Sequence, residues 1–260
     1  MARLASEIKF EGTLGKLSAY RMEGVDHIII RRKGGPSKKT IETSPGFASF
    51  RLNMSEFGAR SKATGCLNRC MSNTRRVADY NFTCHLNALL KPIQEMDIAT
   101  KGQRGVLLTK NQQILQGFQL NRKTPFDSIV RNTVTFKVSR EDMRATVSIP
   151  ELIPELTFNP QQRFSMFSIV AELGIMPDIV LSGKTFRAAT ENVSAIASTK
   201  WFAVSRGCES TSLEIVLEDR PKTESFTLIL SVAIRYGEFI TDDLVQQVKR
   251  GGGAKILGVG

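Results

Sequence analysis

Apolar–polar alternation runs through the second half of this chain and commits it to β-sheet. Val134, Phe136 and Val138 alternate with Thr and Lys. After Arg140-Glu141-Asp142-Met143 the period-two pattern resumes at Ala145, Val147 and Ile149. Two such runs around a polar break predict a hairpin, because a one-residue slip would turn every apolar side chain to the wrong face. Further strands are predicted at 164–171, 179–181, 200–204, 213–217 and 226–236. About seven strands in roughly 100 residues, with turn residues between them, is the pattern of an antiparallel, immunoglobulin-like β-sandwich.

The first half reads differently. Residues 7–32 predict a three-stranded meander. Ile8 and Phe10 alternate with charges, Gly12 and Gly15 bracket one turn, Glu23-Gly24 makes a second, and His27-Ile28-Ile29-Ile30 follows. Five basic residues around Gly34-Gly35-Pro36 then predict an exposed loop. Ser44-Pro45 suits a helix start, with Phe47, Phe50, Met54 and Phe57 as one apolar stripe read as core. Gly58 and Gly65 weaken this helix or admit a close neighbour. A second helix is predicted from about 73 to 90 and ends near Pro92; residues 105–120 are ambiguous. The expected organisation is α+β: a basic meander-plus-helix domain over 1–125, a sandwich over 126–240, and a Gly-rich tail over 241–260. In that tail Gly251–Gly253 is a hinge and Ile256, Leu257 and Val259 an apolar assembly segment that docks on a neighbouring copy, or on its own sheet.

Glu11-Gly-Thr-Leu-Gly-Lys-Leu17, Gly24-Val-Asp-His-Ile-Ile-Ile-Arg-Arg32 and Ser44-Pro-Gly-Phe-Ala48 together resemble a family of uncharacterised bacterial proteins. In that family a short Gly-x-x-Gly meander, a basic loop and two helices precede a β-sandwich. The resemblance implies this architecture and brings no activity or site residues.

Charge is spread unevenly. Residues 1–125 carry 21 Lys and Arg against 9 Asp and Glu; residues 126–260 carry 15 against 16. A positive half joined to a neutral one suggests two units, one with an anionic or acidic partner, against a plain solvated or subunit-facing positive surface. The candidate partner-binding set is Arg31, Arg32, Lys33, Lys38, Lys39, Arg51, Arg60, Lys62, Arg69, Arg75 and Arg76. The longest apolar run, 226–234, is too short to span a bilayer. The opening Met-Ala-Arg-Leu-Ala-Ser-Glu-Ile-Lys breaks the apolar core a signal peptide needs, so the expected location is cytoplasmic, with signal-independent release the other route. Four cysteines are too sparse for a disulfide scaffold and read as reduced thiols.

No catalytic signature is present. Cys66-x-x-x-Cys70 with Cys84-His85 is the one metal-like grouping, but helical spacing replaces the tight Cys-x-x-Cys turn and the adjacent pair points to different faces, so core thiols are expected and no metal or cofactor. His27 and His85, the two histidines, lack a nucleophile elbow. The acidic pairs Glu141-Asp142, Glu218-Asp219 and Asp242-Asp243 sit at expected turns, where solvated acids are ordinary. Gly12-x-x-Gly15 lies between strands rather than between the helices of an RNA-binding module, and Gly34-Gly35 lacks a Walker pattern. The expected function is a non-enzymatic, self-associating subunit of a filament, tube or phage-derived particle. Nucleic-acid or other polyanion binding through the basic half is the alternative, and a carbohydrate-active enzyme built on the sandwich is the second alternative.

Overall fold

The computed structural model describes residues 2–3, 10–22, 25–32, 34–161, 163–241 and 244–260. Ile8, the Glu23-Gly24 turn, Lys33 and the Asp242-Asp243 pair lie outside the described residues. The chain forms two compact units, Met1–Arg51 and Leu52–Gly260. The boundary expected near residue 125 is corrected. Residues 59–120 bury their apolar side chains in one cluster with the C-terminal strands, so they belong to the same unit.

In the first unit β1 (Ala2–Arg3), β2 (Gly12–Leu14), β3 (Leu17–Tyr20) and β4 (Ile29–Arg32) form an antiparallel sheet ordered β1-β4-β3-β2. Two of the three expected strands are therefore present, β3 and β4; the first is displaced, since Phe10 lies in no strand and Gly12, expected to open the turn, begins β2. Gly15, at φ 54°, makes the β2–β3 turn. The basic loop is shorter than expected, because α1 (Lys38–Thr43) begins where Ser37 Oγ accepts from Thr40 N at 3.1 Å. A 3-10 turn at Pro45–Phe47 leads into α2 (Ala48–Cys70), whose first turn contains the unit boundary.

In the second unit α2 buries Ala59, Ala63, Cys66, Leu67 and Cys70. The Phe47-Phe50-Met54-Phe57 stripe is a correction: Phe50, Met54 and Phe57 are exposed, and the small side chains on another face do the packing. The expected helix over 73–90 divides into a 3-10 turn at Thr74–Val77 and α3 (Thr83–Glu95). The ambiguous 105–120 stretch holds two 3-10 turns, Leu108–Lys110 and Gln112–Leu115. After α4 (Phe126–Ile129) come the hairpin β5 (Thr135–Ser139) and β6 (Arg144–Ile149), β7 (Met166–Pro177), the hairpin β8 (Ile179–Ser182) and β9 (Thr185–Ala188), β10 (Ser194–Ser198), β11 (Phe202–Ala203), β12 (Thr211–Val216), β13 (Phe226–Thr241) and β14 (Leu244–Val259).

The central sheet runs β10-β7-β13-β14, and β11 also pairs with β7. A three-stranded sheet, β12-β6-β5, packs on one face. All these pairings are antiparallel. The class is α+β, with sandwiched antiparallel sheets. Leu228, Leu230, Val232 and Ile234 of β13 meet Val147 and Ile215 of the smaller sheet. Ile229 and Ala233, on the opposite face, meet Leu67, Leu86 and Leu90 of the helical layer. Burial on both faces is why 226–234 reads as a continuous apolar run instead of an alternating one.

The C-terminal segment is the principal correction. Gly251–Gly253 is strand and not a hinge, and of the two expected courses Ile256, Leu257 and Val259 take the own-sheet one, adding a strand to their own sheet instead of reaching a neighbour. Ile256 pairs with Ser231 and Val259 with Ile229, both on β13. The outer edge of β14 is covered as well: Gly117 N donates to Ile256 O at 2.9 Å, Leu120 N to Ala254 O at 2.8 Å, and Ala254 N to Asn121 Oδ1 at 3.0 Å. Glycine is required here by crowding. Gly252 adopts φ 137°, and a side chain there would overlap the Ile234 carbonyl; one at Gly253 would come within 2.8 Å of Thr124 O.

Gly252→Ala is expected to destabilise the second unit by about 3 kcal/mol, roughly 10 °C in Tm, through backbone strain and overlap. Gly58→Ala, in the middle of α2 with open space around the position, is expected to stabilise by about 0.5–1 kcal/mol. Urea denaturation of both variants checks the pair; equal effects would refute the assignment of Gly252.

Candidate functional site

The candidate basic set separates by what each side chain touches. Arg51 Nη1 donates to Ile41 O at 2.7 Å and Ser44 O at 2.9 Å, closing the end of α1. Arg60 Nη1 donates to Gln94 Oε1, and its guanidinium lies 5.9 Å from the Phe57 ring centre. Lys62 Nζ donates to Phe186 O at 2.6 Å. Arg69 Nε donates to Asn192 Oδ1 at 3.0 Å. These four serve packing. Arg31, Arg32, Lys38 and Lys39 are exposed on β4 and α1 of the first unit. Arg31 sits 5.4 Å from the Tyr20 ring centre, and Lys38 pairs with a solvent-exposed partner, Glu42, at 3.8 Å. Arg75 and Arg76 are exposed on the 3-10 turn of the second unit. Lys33 lies outside the described residues.

Two charged residues outside that set sit inside buried strands. Glu172 of β7 is fully buried on the face toward the helical layer. Its carboxylate accepts from Ser72 Oγ (2.8 Å), Asn73 N (2.9 Å), Asn73 Nδ2 (3.1 Å), Thr74 N (3.0 Å), Thr74 Oγ1 (3.3 Å) and Ser194 Oγ (3.3 Å). That donor set replaces the water a carboxylate loses on burial. Arg235 of β13 lies on the same face, opposite Ser168. Burial, and after it the neighbouring Arg76, lowers the pKa of its guanidinium. A charge within an otherwise apolar strand is the sequence signal that marks both residues.

The thiols have structural surroundings. Cys66 and Cys70 are buried where α2 approaches β7. The approach is so close that a side chain at Gly174 would come within 2.6 Å of Cys70 Cα. Asn192 Nδ2 donates to Cys70 Sγ at 3.2 Å and to Ile175 O at 2.6 Å, stapling helix to strand. Burial pushes the Cys70 thiol up to about 12 and also raises Cys66 and Cys208. Cys84 is exposed on α3, where His85 meets Arg122 and stands edge-on to Tyr80. Among the described residues no three His, Cys, Asp or Glu side chains gather as metal ligands would. Glu141-Asp142 and Glu218-Asp219 lie on exposed turns. A cavity lined by Glu155, Asn159, Phe164, Ser165 and Ser205 holds one carboxylate, where glycoside hydrolysis uses two.

A third feature is apolar. β7 ends its pairing with β13 at Met166 opposite Gly237. Beyond it β13 and β14 continue as a two-stranded arm, with Glu238 opposite Gln246 and Phe239 opposite Val245. Phe239, Ile240 and Leu244 are 53%, 56% and 55% exposed. Among the described residues neither outer edge of this arm carries a backbone hydrogen bond. No described helix is long and apolar enough to cross a membrane. No protein-family model, curated protein or solved structure matches the chain.

At neutral pH only Cys84 is expected to react with a disulfide reagent in the native protein, and all four thiols after denaturation. Native reaction of two or more would refute this environment. Tyr236, pushed by burial to about 12, acts with Cys70. The folded state holds both protons more tightly than the unfolded chain does. Their contribution is therefore complete below about pH 9 and is lost as pH rises toward 12. Urea midpoints should fall across that window, and less steeply in Cys70→Ala.

Proposed function

We propose that this chain is a non-enzymatic structural protein that assembles from copies of itself, a repeating subunit of a filament, tube or particle. The observation that carries the reading is the β13–β14 arm. A two-stranded ribbon is marginal by itself in water, yet this one holds three large apolar side chains in solvent and, among the described residues, carries no backbone hydrogen bond on its outer edges. Free, apolar strand edges invite pairing with another strand. A second copy is the simplest occupant, because the same edge set antiparallel to itself about a two-fold axis matches apolar residue to apolar residue. The N-terminal likeness to uncharacterised bacterial proteins enters this reading as architecture only.

Light scattering of the full chain is expected to give a mass above the monomer. The variant Phe239→Ser/Ile240→Thr/Leu244→Ser should return the monomer mass with an unchanged Tm. Equal large masses would move the interface away from the arm. A monomeric wild-type chain across accessible concentrations would overturn the reading.

A second reading, nucleic-acid or polyanion binding, is favoured by one observation: Arg31, Arg32, Lys38 and Lys39 are exposed, with Tyr20 beneath Arg31. Such contacts are made to phosphates and tolerate any sequence. Reversing all four to Glu is expected to weaken DNA and RNA binding alike and to flatten its salt dependence, measured by fluorescence anisotropy. Undiminished binding would place the contact elsewhere.

A further inference from the structure

A cleft of about 430 Å³ opens between the 153–160 loop and the 164–165 and 204–205 segments of the second unit. That volume lies within the roughly 300–1,000 Å³ of small-molecule sites. Four polar side chains line it, Glu155, Asn159, Ser165 and Ser205, and Pro154, Pro160 and Val204 supply apolar wall. The wall that carries Glu155 is fixed. Thr157 N and Phe158 N both donate to Ile153 O at 3.0 Å, Ile153 N donates to Thr157 Oγ1 at 2.9 Å, and Asn159 N donates to Ile129 O at 2.8 Å. The opposite wall is fixed by Val204 N, which donates to Ser165 O at 2.9 Å, and by Phe164, stacked on Tyr236 with 5.1 Å between ring centres. A site that is rigid before its ligand arrives loses little freedom on binding.

Glu155 adopts φ 68°, a left-handed conformation that disfavours any side chain. Glycine would sit there without strain, yet a carboxylate is present, and strained residues of this kind gather at ligand sites. The backbone of Glu155 is engaged: its N donates to Phe158 O at 2.9 Å, and its O accepts from Arg131 Nη1 at 3.3 Å. Its side chain is exposed and has no ion-pair partner among the described residues. Asn159 spends Nδ2 on Ser128 O at 3.4 Å, which leaves Oδ1 to accept. Ser165 and Ser205 are exposed, and a hydroxyl both donates and accepts.

Charge narrows the ligand. Among the described residues no cationic side chain lines the cleft, so an anion meets only Glu155 and is repelled. A cation is drawn to Glu155 but opposed by Arg131 beside it and by Arg163, 4.6 Å from the Phe164 ring centre. A neutral ligand with several hydroxyls meets neither obstacle. Adjacent hydroxyls of a sugar ring donate to carboxylate and amide oxygens and accept from serine, while its C–H face lies against proline and valine. One carboxylate suits holding such a ring, where hydrolysing its glycosidic bond takes two. We propose that this cleft binds one pyranose ring of a neutral saccharide, either a free monosaccharide or the end unit of a glycan. The site uses no residue of the assembly arm or of the first unit's basic surface, so it stands or falls independently of the proposed function.

Saturation-transfer NMR on the full chain tests the site. The probes are glucose, galactose, mannose and N-acetylglucosamine as free sugars, cellobiose and lactose as disaccharides, and butylamine as the cationic control. At least one sugar is expected to give a saturable signal. Tighter binding of a disaccharide than of its component sugars would identify a glycan end; equal or weaker binding would identify the free sugar. Glu155→Gly is expected to melt no lower than wild type, because backbone strain is relieved, and to weaken binding at least tenfold, on the order of what hydrogen bonds to a charged acceptor supply. Ser205→Ala, at an exposed position, should keep the wild-type Tm and weaken binding about fivefold. No saturable signal from any sugar, a saturable signal from butylamine alone, or undiminished sugar binding in the two variants would overturn the site.

Discussion

The second unit depends on a carboxylate held away from water. Glu172 lies in the middle of β7, a strand buried on both faces, where an acidic side chain is costly unless every lone pair is used. The donors that use them come from the turn following α2, at residues 72–74, and from Ser194 on β10. The interaction therefore fixes three things at once: where α2 stops, how the Thr74–Val77 turn sits on the sheet, and where β10 meets β7. Thr74 Oγ1 continues the network to Ser231 Oγ at 2.8 Å, linking β13 to the same turn. Apolar packing supplies most of the driving force for such a layer, but it is non-directional. The hydrogen bonds to Glu172 fix its register.

That register has consequences at the other end of the sheet. Holding the 3-10 turn against β13 puts Val77 beside Gly252, and Asn121 Nδ2 then donates to both Val77 O at 2.8 Å and Gly252 O at 3.2 Å. β14 runs where the turn, β13 and the 117–121 segment leave room for backbone and no side chain. Glycine at 252 and 253 fits that space. Past this constriction the register shifts between Arg235 and Gly237, and the two strands leave the body of the sheet as an arm. The close packing at Gly252 and the exposed Phe239, Ile240 and Leu244 are thus neighbours on one strand pair.

The period-two signal made the β5–β6 hairpin and β13 legible, because alternation and a continuous apolar run each have one structural meaning at that length. The N-terminal strands Leu17–Tyr20 and Ile29–Arg32 were legible, while the first strand of that meander was placed too early. Three readings failed on tertiary grounds. Gly251–Gly253 signals flexibility when the chain is read locally, and only the approach of Ile234 and Thr124 turns it into a close-packed strand. The Phe50-Met54-Phe57 stripe has helical spacing, but spacing does not say which face meets the sheet, and here Ala59, Ala63 and Leu67 do. The division of the chain failed because a change of secondary-structure texture near residue 125 is not a change of core.

Charge was legible in sum and illegible in position. Of the basic residues of the first half, Arg51, Arg60, Lys62 and Arg69 spend their N–H groups on backbone carbonyls and amide oxygens, so they stiffen the fold and offer little to a partner. Arg235 lies in the half whose charge nearly cancels, yet it shares a cleft with Arg76, 159 positions away in sequence. Nothing short of the strand register brings them together: Arg235 faces the helical layer because Ser231 and Ala233 do, and Arg76 follows the turn that Glu172 holds. A fold built around one satisfied anion, Glu172, thereby also brings two cations near each other on the same face. Trp201 and Ser168 hold the Arg235 guanidinium in place, while the Arg76 side chain stays exposed, so the repulsion between them is relieved on the solvent side, where water and salt screen it.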